Sequence, residues 1–520
     1  MKCSVFTCVV VTLVVVTGPS DPLAATATGV VFHDENRNGK RDAGESGVPD
    51  VRVSNQRDVV ITDDKGRYRI PVDDDTTIFV VKPRGWMTPV DPEFKLPRFY
   101  YTHKPAGSPA TRYDGVSPTG TLPNSVDFPL HRQAEPDTFR MIMFGDPQAR
   151  NETELEYMAR DVINELVGFD ADFGITLGDI VFDDLAIFDQ HNRTVALIGI
   201  PWYNVIGNHD LNFDAPSDKL SDETFERVFG PNYYSFDHGP VHFVVLDDVL
   251  WRGVDENKEP RGYVGEFGEQ QLQWLESDLR HVPENHLLVL TMHIPMTQCR
   301  DREALYRLME KRPYSLSFSA HTHTQEHVFL REQDGWRGPE PHHHVINVTV
   351  CGSWWQGAPD ERGIPHATMR DGAPNGYSIV TFDGQKASID FKAASQPAAS
   401  QMNIYAPYTV ESSQASDTEI LVNVFAGSER SKVEMRLGPD GSWAPMQQVT
   451  RMDPYKLEIQ QAEQSEHPPR GRKMHEPSPT SHMWSAKLPA EPPVGLTLIQ
   501  VRTTDMFGRT YADWRPIHIK

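Results

Sequence analysis

Residues 139–148 read FRMIMFGDPQ, an apolar run broken only by Arg140 and stopped by a glycine, an aspartate, a proline and a glutamine. A short apolar run that ends abruptly in turn residues is the pattern of a strand buried on both faces. The following segment changes period, with Leu155, Met158, Ala159, Val162, Ile163 and Leu166 on one helical face. Apolar runs then recur at Phe173–Leu177, Trp202–Ile206, Val241–Leu246 and Leu287–Met292, with a second helical face at Leu272, Leu275 and Leu279. Strand, helix, strand repetition predicts an α/β layer, and such sheets carry ligands just beyond their strand ends.

At the ends of this domain's strands stand five polar clusters in order, most of them directly after an apolar run: Asp146-Pro147-Gln148, Gly178-Asp179, Gly207-Asn208-His209-Asp210, His293 and His321-Thr322-His323. Their Asp, Asn and His offer hard oxygen and imidazole nitrogen, which suit Mn, Fe, Zn or Mg, whereas no cluster of cysteines offers a structural thiolate site. Five rigid strand ends around one carboxylate would form a cage for two cations roughly 3.5–4 Å apart.

Asp146-x-Gln148, Gly178-Asp179, Gly207-Asn208-His209-Asp210, His293 and Ala320-His321-x-His323 resemble, in order and in type, the blocks of the calcineurin-like metallophosphoesterases. The likeness covers residues 139 to 390. It implies a central αββα-type sandwich with Asp146, Asp179 and His323 on one metal and Asp179, Asn208, His293 and His321 on the other. Asp179 would bridge them. It also implies attack on phosphorus by a metal-bound hydroxide, with His209 donating a proton to the leaving oxygen or a hydrogen bond to the phosphoryl group. Gln148 stands where many members have histidine, although some members share Asp-Pro-Gln; as a ligand its amide oxygen would be weak. Members of the phosphoprotein-phosphatase branch have an Asp three residues after the bridging one to orient the catalytic histidine. Here that position is Phe182, which leaves Asp210 or Asp183 for the role.

On either side the periodicity is that of strands. Gly29–Phe32, Val51–Val53, Val59–Thr62, Tyr68–Ile70 and Thr77–Val81 predict one β-sandwich, closed by a linker at Ala134-Glu135-Pro136. Ile420–Phe425, Lys432–Leu437 and Leu496–Thr503 predict a second, with no helix after about residue 395 and a Pro-rich loop at 463–481. The predicted division is a leader at 1–27, an N-terminal sandwich at 28–135, the α/β domain at 136–395 and a C-terminal sandwich at 396–520. Within the first sandwich, Asp34 to Glu45 fits the calcium-loop pattern D-x-[DN]-x-[DN]-G-x5-E. Its oxygens would come from Asp34, Asn36, Asn38, the Lys40 carbonyl, Asp42 and Glu45. No helices flank it; it resembles the calcium repeats of bacterial surface adhesins, which implies a structural ion.

Lys2 followed by the apolar run Val5–Val16 and by Ala25-x-Ala27 reads as an export signal cut near Ala27. Twelve residues are too few to span a bilayer, and no later run is long enough. Cys299 and Cys351 would then be the remaining cysteines, candidates for one disulfide in an oxidising compartment. Trp354 and Trp355, beside Asn375, look similar to segments of secreted three-domain bacterial metallophosphoesterases; at least one tryptophan is expected in a pocket wall, with Asn375 a candidate substrate contact. Arg150 and Arg300 read as surface charge and His342-His343-His344 as a loop.

A net charge of -23 leaves no Lys/Arg excess for a nucleic-acid polymer. A small phosphorylated substrate held by metals is the expected partner. The function expected is an exported two-metal phosphoesterase. A phosphodiesterase of nucleotide, phospholipid or glycan diesters is the alternative within enzymes, and a surface adhesion protein with a degenerate centre is the alternative outside them.

Overall fold

A computed structural model describes residues 25–520, so the expected leader lies almost wholly outside the described residues. The chain is α/β, with all-β layers at both ends of a central two-sheet sandwich. The apolar run at 139–144 forms the strand Thr138–Phe144, the middle of a five-stranded sheet. It is flanked in parallel by Phe173–Leu177 and then Trp202–Val205, and antiparallel by Gly376–Asp383 and then Lys386–Ala393. Facing it is a six-stranded sheet in the order Tyr234–His238, Val241–Val245, Leu287–Thr291, Ser315–Ser319, His342–Ile346, Glu326–Leu330. Its four inner strands are parallel.

The expected helical face lies on Glu152–Met158, which passes through a π-turn at Ala159–Ile163 into Asn164–Leu166. The Asn151 side chain caps it by accepting from the Glu154 amide, and Leu155, Met158, Val162, Ile163 and Leu166 are buried.

Toward the N-terminus two four-stranded sheets pair Ala25–His33 with Arg67–Val72, and Arg52–Ser54 with Thr76–Val80. Ala25–Ala27 belong to the first of these strands, opposite Ile70–Val72, so the expected cut before Thr28 falls inside it. After residue 400 a second pair of sheets is built on Glu419–Val424 with Thr480–Lys487, and on Gly495–Thr504 with Thr510–Ile519. This region does contain a helix, Pro454–Glu463, contrary to expectation. Asp453 caps it by accepting from the Lys456 amide, and Pro454 occupies its first turn, where a missing N–H costs nothing. Among the described residues no helix is long and apolar enough to cross a membrane.

Three further expectations are corrected. His342-His343-His344 is a strand, not a loop: His342 and His344 share one face and interleave with the hydroxyls of Ser315, Ser317 and Ser319 at 2.8–3.0 Å. Ala134-Glu135-Pro136 is not a free linker, because the buried Glu135 carboxylate accepts from Lys82 Nζ at 2.5 Å and from the Gly85 and Gly239 amides at 3.0 Å. Nor do Cys299 and Cys351 form a disulfide; both are buried free thiols.

One hydrophobic cluster runs without a break from Val31 and Phe79 into Phe139, Phe173 and Phe243, joining the N-terminal sheets to the central ones. Through this contact passes a buried polar tetrad. Arg52 donates to Asp237 at 2.6 Å and to Asp278 at 3.1 Å, while His242 bonds the same two carboxylates at 2.7 and 2.9 Å. Burial alone would raise both acids, but Arg52 and His242 hold them below the usual carboxylate range. Their contribution to stability is therefore present above ~3.9 and lost as pH falls through their lowered values. Arg52→Ala leaves two carboxylates without their cation, and should lower the unfolding free energy by about 3–5 kcal/mol. Urea denaturation at pH 7 measures that loss, and repeating it toward pH 3 should show a smaller acid-dependent decline in the variant than in the parent. Equal stability of the two proteins at pH 7 would contradict the account.

Candidate metal centre

Each of the five polar clusters stands within a few residues of the carboxyl end of a parallel strand. The turns that carry them are tight enough to dictate residue type. A Cβ on Gly207 would sit 2.0 Å from the Asp179 amide nitrogen, and one on Gly178, at φ 84°, would meet the His293 ring at 2.6 Å. Glycine at both places lets three strand ends approach one another. Non-glycine residues in the left-handed region crowd here too: Asp146, Gln148, Asp179, Asp183, His321, His323, Trp354 and Trp355. Such backbone costs on the order of 1–3 kcal/mol per residue and persists where the surroundings over-determine it.

Asp179 lies at the middle. Its carboxylate accepts from the His209 amide at 2.9 Å and from Gln148 Nε2 at 3.0 Å, and stands 3.2 Å from His293 Nε2. That same nitrogen is 3.1 Å from Asn208 Oδ1 and 3.1 Å from His321 Nδ1. Asp179, His293 and His321 thus present ligand atoms to a single point. Because His293 Nδ1 donates to the Leu177 carbonyl at 2.8 Å, its Nε2 is the nitrogen turned inward.

A second convergence lies beside the first. Asp146 Oδ1 and His323 Nε2 are both buried, have no hydrogen-bond partner, and face each other across 3.9 Å. Their other atoms are engaged: Asp146 Oδ2 accepts from the His321 amide at 3.0 Å, and His323 Nδ1 donates to the Gly352 carbonyl at 2.5 Å. Two orphaned ligand atoms so arranged fit a cation between them, because unpaired polar groups are costly in a dry interior. Gln148 turns its amide nitrogen to Asp179 Oδ2, while its oxygen lies 3.7 Å from Cys351 Sγ.

At His321 and His323 the electrostatics match the donor chemistry. Burial keeps His321 and His323 neutral, pushing both down to about 3, the form in which imidazole binds metal. Burial also drives Asp146 up to about 8, with Asp179 adding to the effect against the pull of His293. For Asp179 itself burial is outweighed by His293 and His209, which hold it below the ordinary carboxylate range.

Of the two acids considered for orienting His209, the structure brings Asp183 to the ring, 2.5 Å from Nδ1. Asp210 is instead buried beneath the turn, where it accepts from the amides of Ile180, Val181 and Gly207. Phe182 stacks on the His209 ring at 4.4 Å, and the Arg150 guanidinium lies over the Phe182 ring at 4.2 Å. Trp354 is half-buried and stacks on His323 at 3.7 Å, whereas Trp355 faces the interior and donates to the Pro147 carbonyl. Asn375 does not join the centre; its amide is spent on Asp161 and the Val350 carbonyl. Arg300 is exposed near Glu266.

Two residues at the centre went unread in the sequence. Tyr263, on the hairpin strand Tyr263–Gly265, meets His321 edge-on at 6.1 Å, and burial followed by Asp179 and Asp146 pushes its hydroxyl up to about 12. Asp248 accepts from the His293 and Ile294 amides and so holds that strand end. Asp248 follows the apolar run Val241–Leu246, so reading one more strand end would have found it.

Two facing sheets crowned at their strand ends by Asp, Asn and His define the metallophosphoesterase class. Three family models match the chain: the N-terminal part of calcineurin-like phosphoesterase over residues 35–114, calcineurin-like phosphoesterase over 139–325, and its C-terminal part over 344–511. The chain belongs to the calcineurin-like phosphoesterases, a family of metal-dependent hydrolases of phosphoric esters. It is 29% identical over 106 residues to a probable glycerophosphodiester phosphodiesterase GpdQ of Arcobacter nitrofigilis, a stretch that is 20% of this chain and 34% of that relative's length. Among solved structures, PhoD aligns with a TM-score of 0.36 and 11% identity, covering 72% of this chain and 89% of that one. Purple acid phosphatase PPD1 from yellow lupin (Lupinus luteus) seeds aligns at 0.36 and 12%, covering 71% and 67%.

Free thiols at Cys299 and Cys351 make stability insensitive to reductant. A chain lacking residues 1–27 should show two reactive thiols toward a disulfide reagent in denaturant and none when folded, with the same melting temperature with and without dithiothreitol. A drop in melting temperature on reduction would restore the disulfide.

Proposed function

We propose that this chain is an exported phosphoesterase that works with two divalent or transition metal ions and hydrolyses small phosphate esters. The observation that carries the reading is the pair of adjacent convergences on either side of Asp179, one of them made of the orphaned Asp146 Oδ1 and His323 Nε2. Asp146, Asp179 and His323 would hold one ion; Asp179, Asn208, His293 and His321 would hold the other. When bound, such a pair supplies a nucleophile from water at neutral pH and stabilises charge on the phosphoryl oxygens. Gln148 acts in this reading as a hydrogen-bond donor that fixes Asp179.

His209 serves as proton donor to the leaving oxygen. Its Nδ1 is committed to Asp183, which leaves Nε2 to carry the proton, and Phe182 packed on the ring restricts its rotation. Burial disfavours a charged ring, but Asp179 and Asp183 overcome it and raise its pKa. Asp210 supports this turn from below through three backbone amides.

A diester is the second reading of the substrate, supported by the likeness to the GpdQ relative, a probable glycerophosphodiester phosphodiesterase. The division into a leader, two β-sandwiches and a catalytic middle rests on the same residues as before, and the export signal on Lys2 to Ala27. We also propose a structural calcium in the loop from Asp34 to Glu45. Asp34 already accepts from the Asn38 and Gly39 amides, Asn36 and Asn38 reach Asp42, and Glu45 accepts from Glu35 and Asp42, so the loop is wound on its own oxygens. A calcium chelator should lower the melting temperature of the parent and leave Asp34→Ala unaffected; an equal response of both would remove calcium from this loop.

The decisive experiment compares para-nitrophenyl phosphate with its bis ester on protein reloaded separately with Mn, Fe, Zn or Mg. Asp179→Ala should abolish turnover of both, and turnover unaffected by it would sink the assigned centre. His209→Ala should lower kcat by about 10²–10⁴-fold. The loss should be larger for an alkyl phosphate, whose leaving oxygen needs the proton, than for the nitrophenyl ester.

A further inference from the structure

We infer that the C-terminal part of the chain completes the first metal position, through a stack of three rings that runs from His323 to Trp354 to His475. The inference rests on the two-metal reading above. Trp354 lies against His323 with ring centroids 3.7 Å apart and planes 24° from parallel, and His475 covers the other face of the same indole at 3.8 Å. His475 belongs to the loop between the helix Pro454–Glu463 and the strand Thr480–Lys487, more than 150 residues beyond the ligand it reaches.

This loop is tied down on both sides of His475. The Gly357 amide donates to the Arg472 carbonyl at 2.9 Å, and the Met474 amide donates to the Glu463 carboxylate at 3.1 Å. Beyond His475, the Ser478 amide donates to the Arg370 carbonyl at 2.8 Å, and the Arg370 amide donates in turn to the His323 carbonyl at 3.1 Å. The same loop therefore grips His323 twice, by its backbone through Arg370 and by its ring through Trp354. Lys456, from the preceding helix, reaches across as well, donating to Ser353 Oγ at 3.2 Å and the Thr368 carbonyl at 3.1 Å on either side of this path.

The grip has a specific target. His323 needs its ring plane held so that Nε2 faces Asp146 Oδ1, and one hydrogen bond, to Gly352, fixes a point but not the tilt about it. A flat partner fixes the tilt. Trp354 supplies that partner from a left-handed backbone at φ 55°, with Arg150 Nη1 donating to its carbonyl at 2.6 Å. His475 in turn prevents the indole from swinging outward. Groups that orient a ligand from outside the coordination sphere are worth about 10–100-fold in metal affinity. His475 is a positioning residue on this account.

The test is calorimetric titration of Mn²⁺ alone into the metal-stripped full chain. The parent should take up two equivalents. His475→Ala should weaken one equivalent about 10–100-fold and leave the other unchanged, while His475→Phe, which keeps a flat ring, should restore it. Since His475 is exposed, neither variant should alter the melting temperature of the metal-free protein. Mn²⁺ should also quench indole emission in the parent and do so less in Trp354→Phe, because the quenched ring is the stacked one. Two equivalents bound by His475→Ala as tightly as by the parent, or equal quenching with and without Trp354, would overturn the inference. A parent that takes up no Mn²⁺ would instead overturn the metal reading on which it rests.

Discussion

A single buried carboxylate, that of Asp179, sets the terms for the rest of the centre. It must stay ionised with almost no water around it, which the structure arranges by placing His293, the His209 amide and the Gln148 amide against it. The approach of those groups demands that three turns converge within van der Waals contact. Hence glycine at 178 and 207, and hence the left-handed backbone at Asp146, Gln148, Asp179 and His321. Stabilising one charge in the interior has in this way dictated both composition and local strain across four strand ends.

Much of this was legible in the residues themselves. Most of the parallel strands announce themselves as apolar runs, Ser315–Ser319 and His342–Ile346 being the exceptions, and the residues that gather at the centre lie just past strand ends, where open α/β sheets carry their ligands. What could not be read was direction within a turn. Asp183 and Asp210 are both close to His209 in sequence, and only the left-handed turn at Asp183 decides which carboxylate meets the ring. Trp354 and Trp355 are a similar case. Both have positive φ, so adjacent side chains diverge sharply, one to the metal ligand and one to the interior.

At His342–His344 and at Glu135 the sequence misleads for one reason, which is that polar residues suggest exposure. His342 and His344 read as loop because histidine breaks an apolar pattern, yet the hydroxyl ladder of Ser315, Ser317 and Ser319 satisfies both rings inside the sheet. Glu135 looked like linker for the same reason, and its carboxylate is sealed by Lys82 and two amides. The helix at Pro454 carried a legible start in Asp453-Pro454, but its weakly apolar face gave little periodicity to detect.

The buried tetrad of Arg52, Asp237, His242 and Asp278 bears on how the N-terminal sheets can move against the central ones. Enzymes that close two lobes around a substrate need an interface that can open at low cost, whereas this one holds salt-bridged groups with almost no water access and a hydrophobic cluster continuous across it. Opening there would strand two carboxylates and a guanidinium. The N-terminal sheets therefore behave as a fixed wall against the central ones, and the two move as one body.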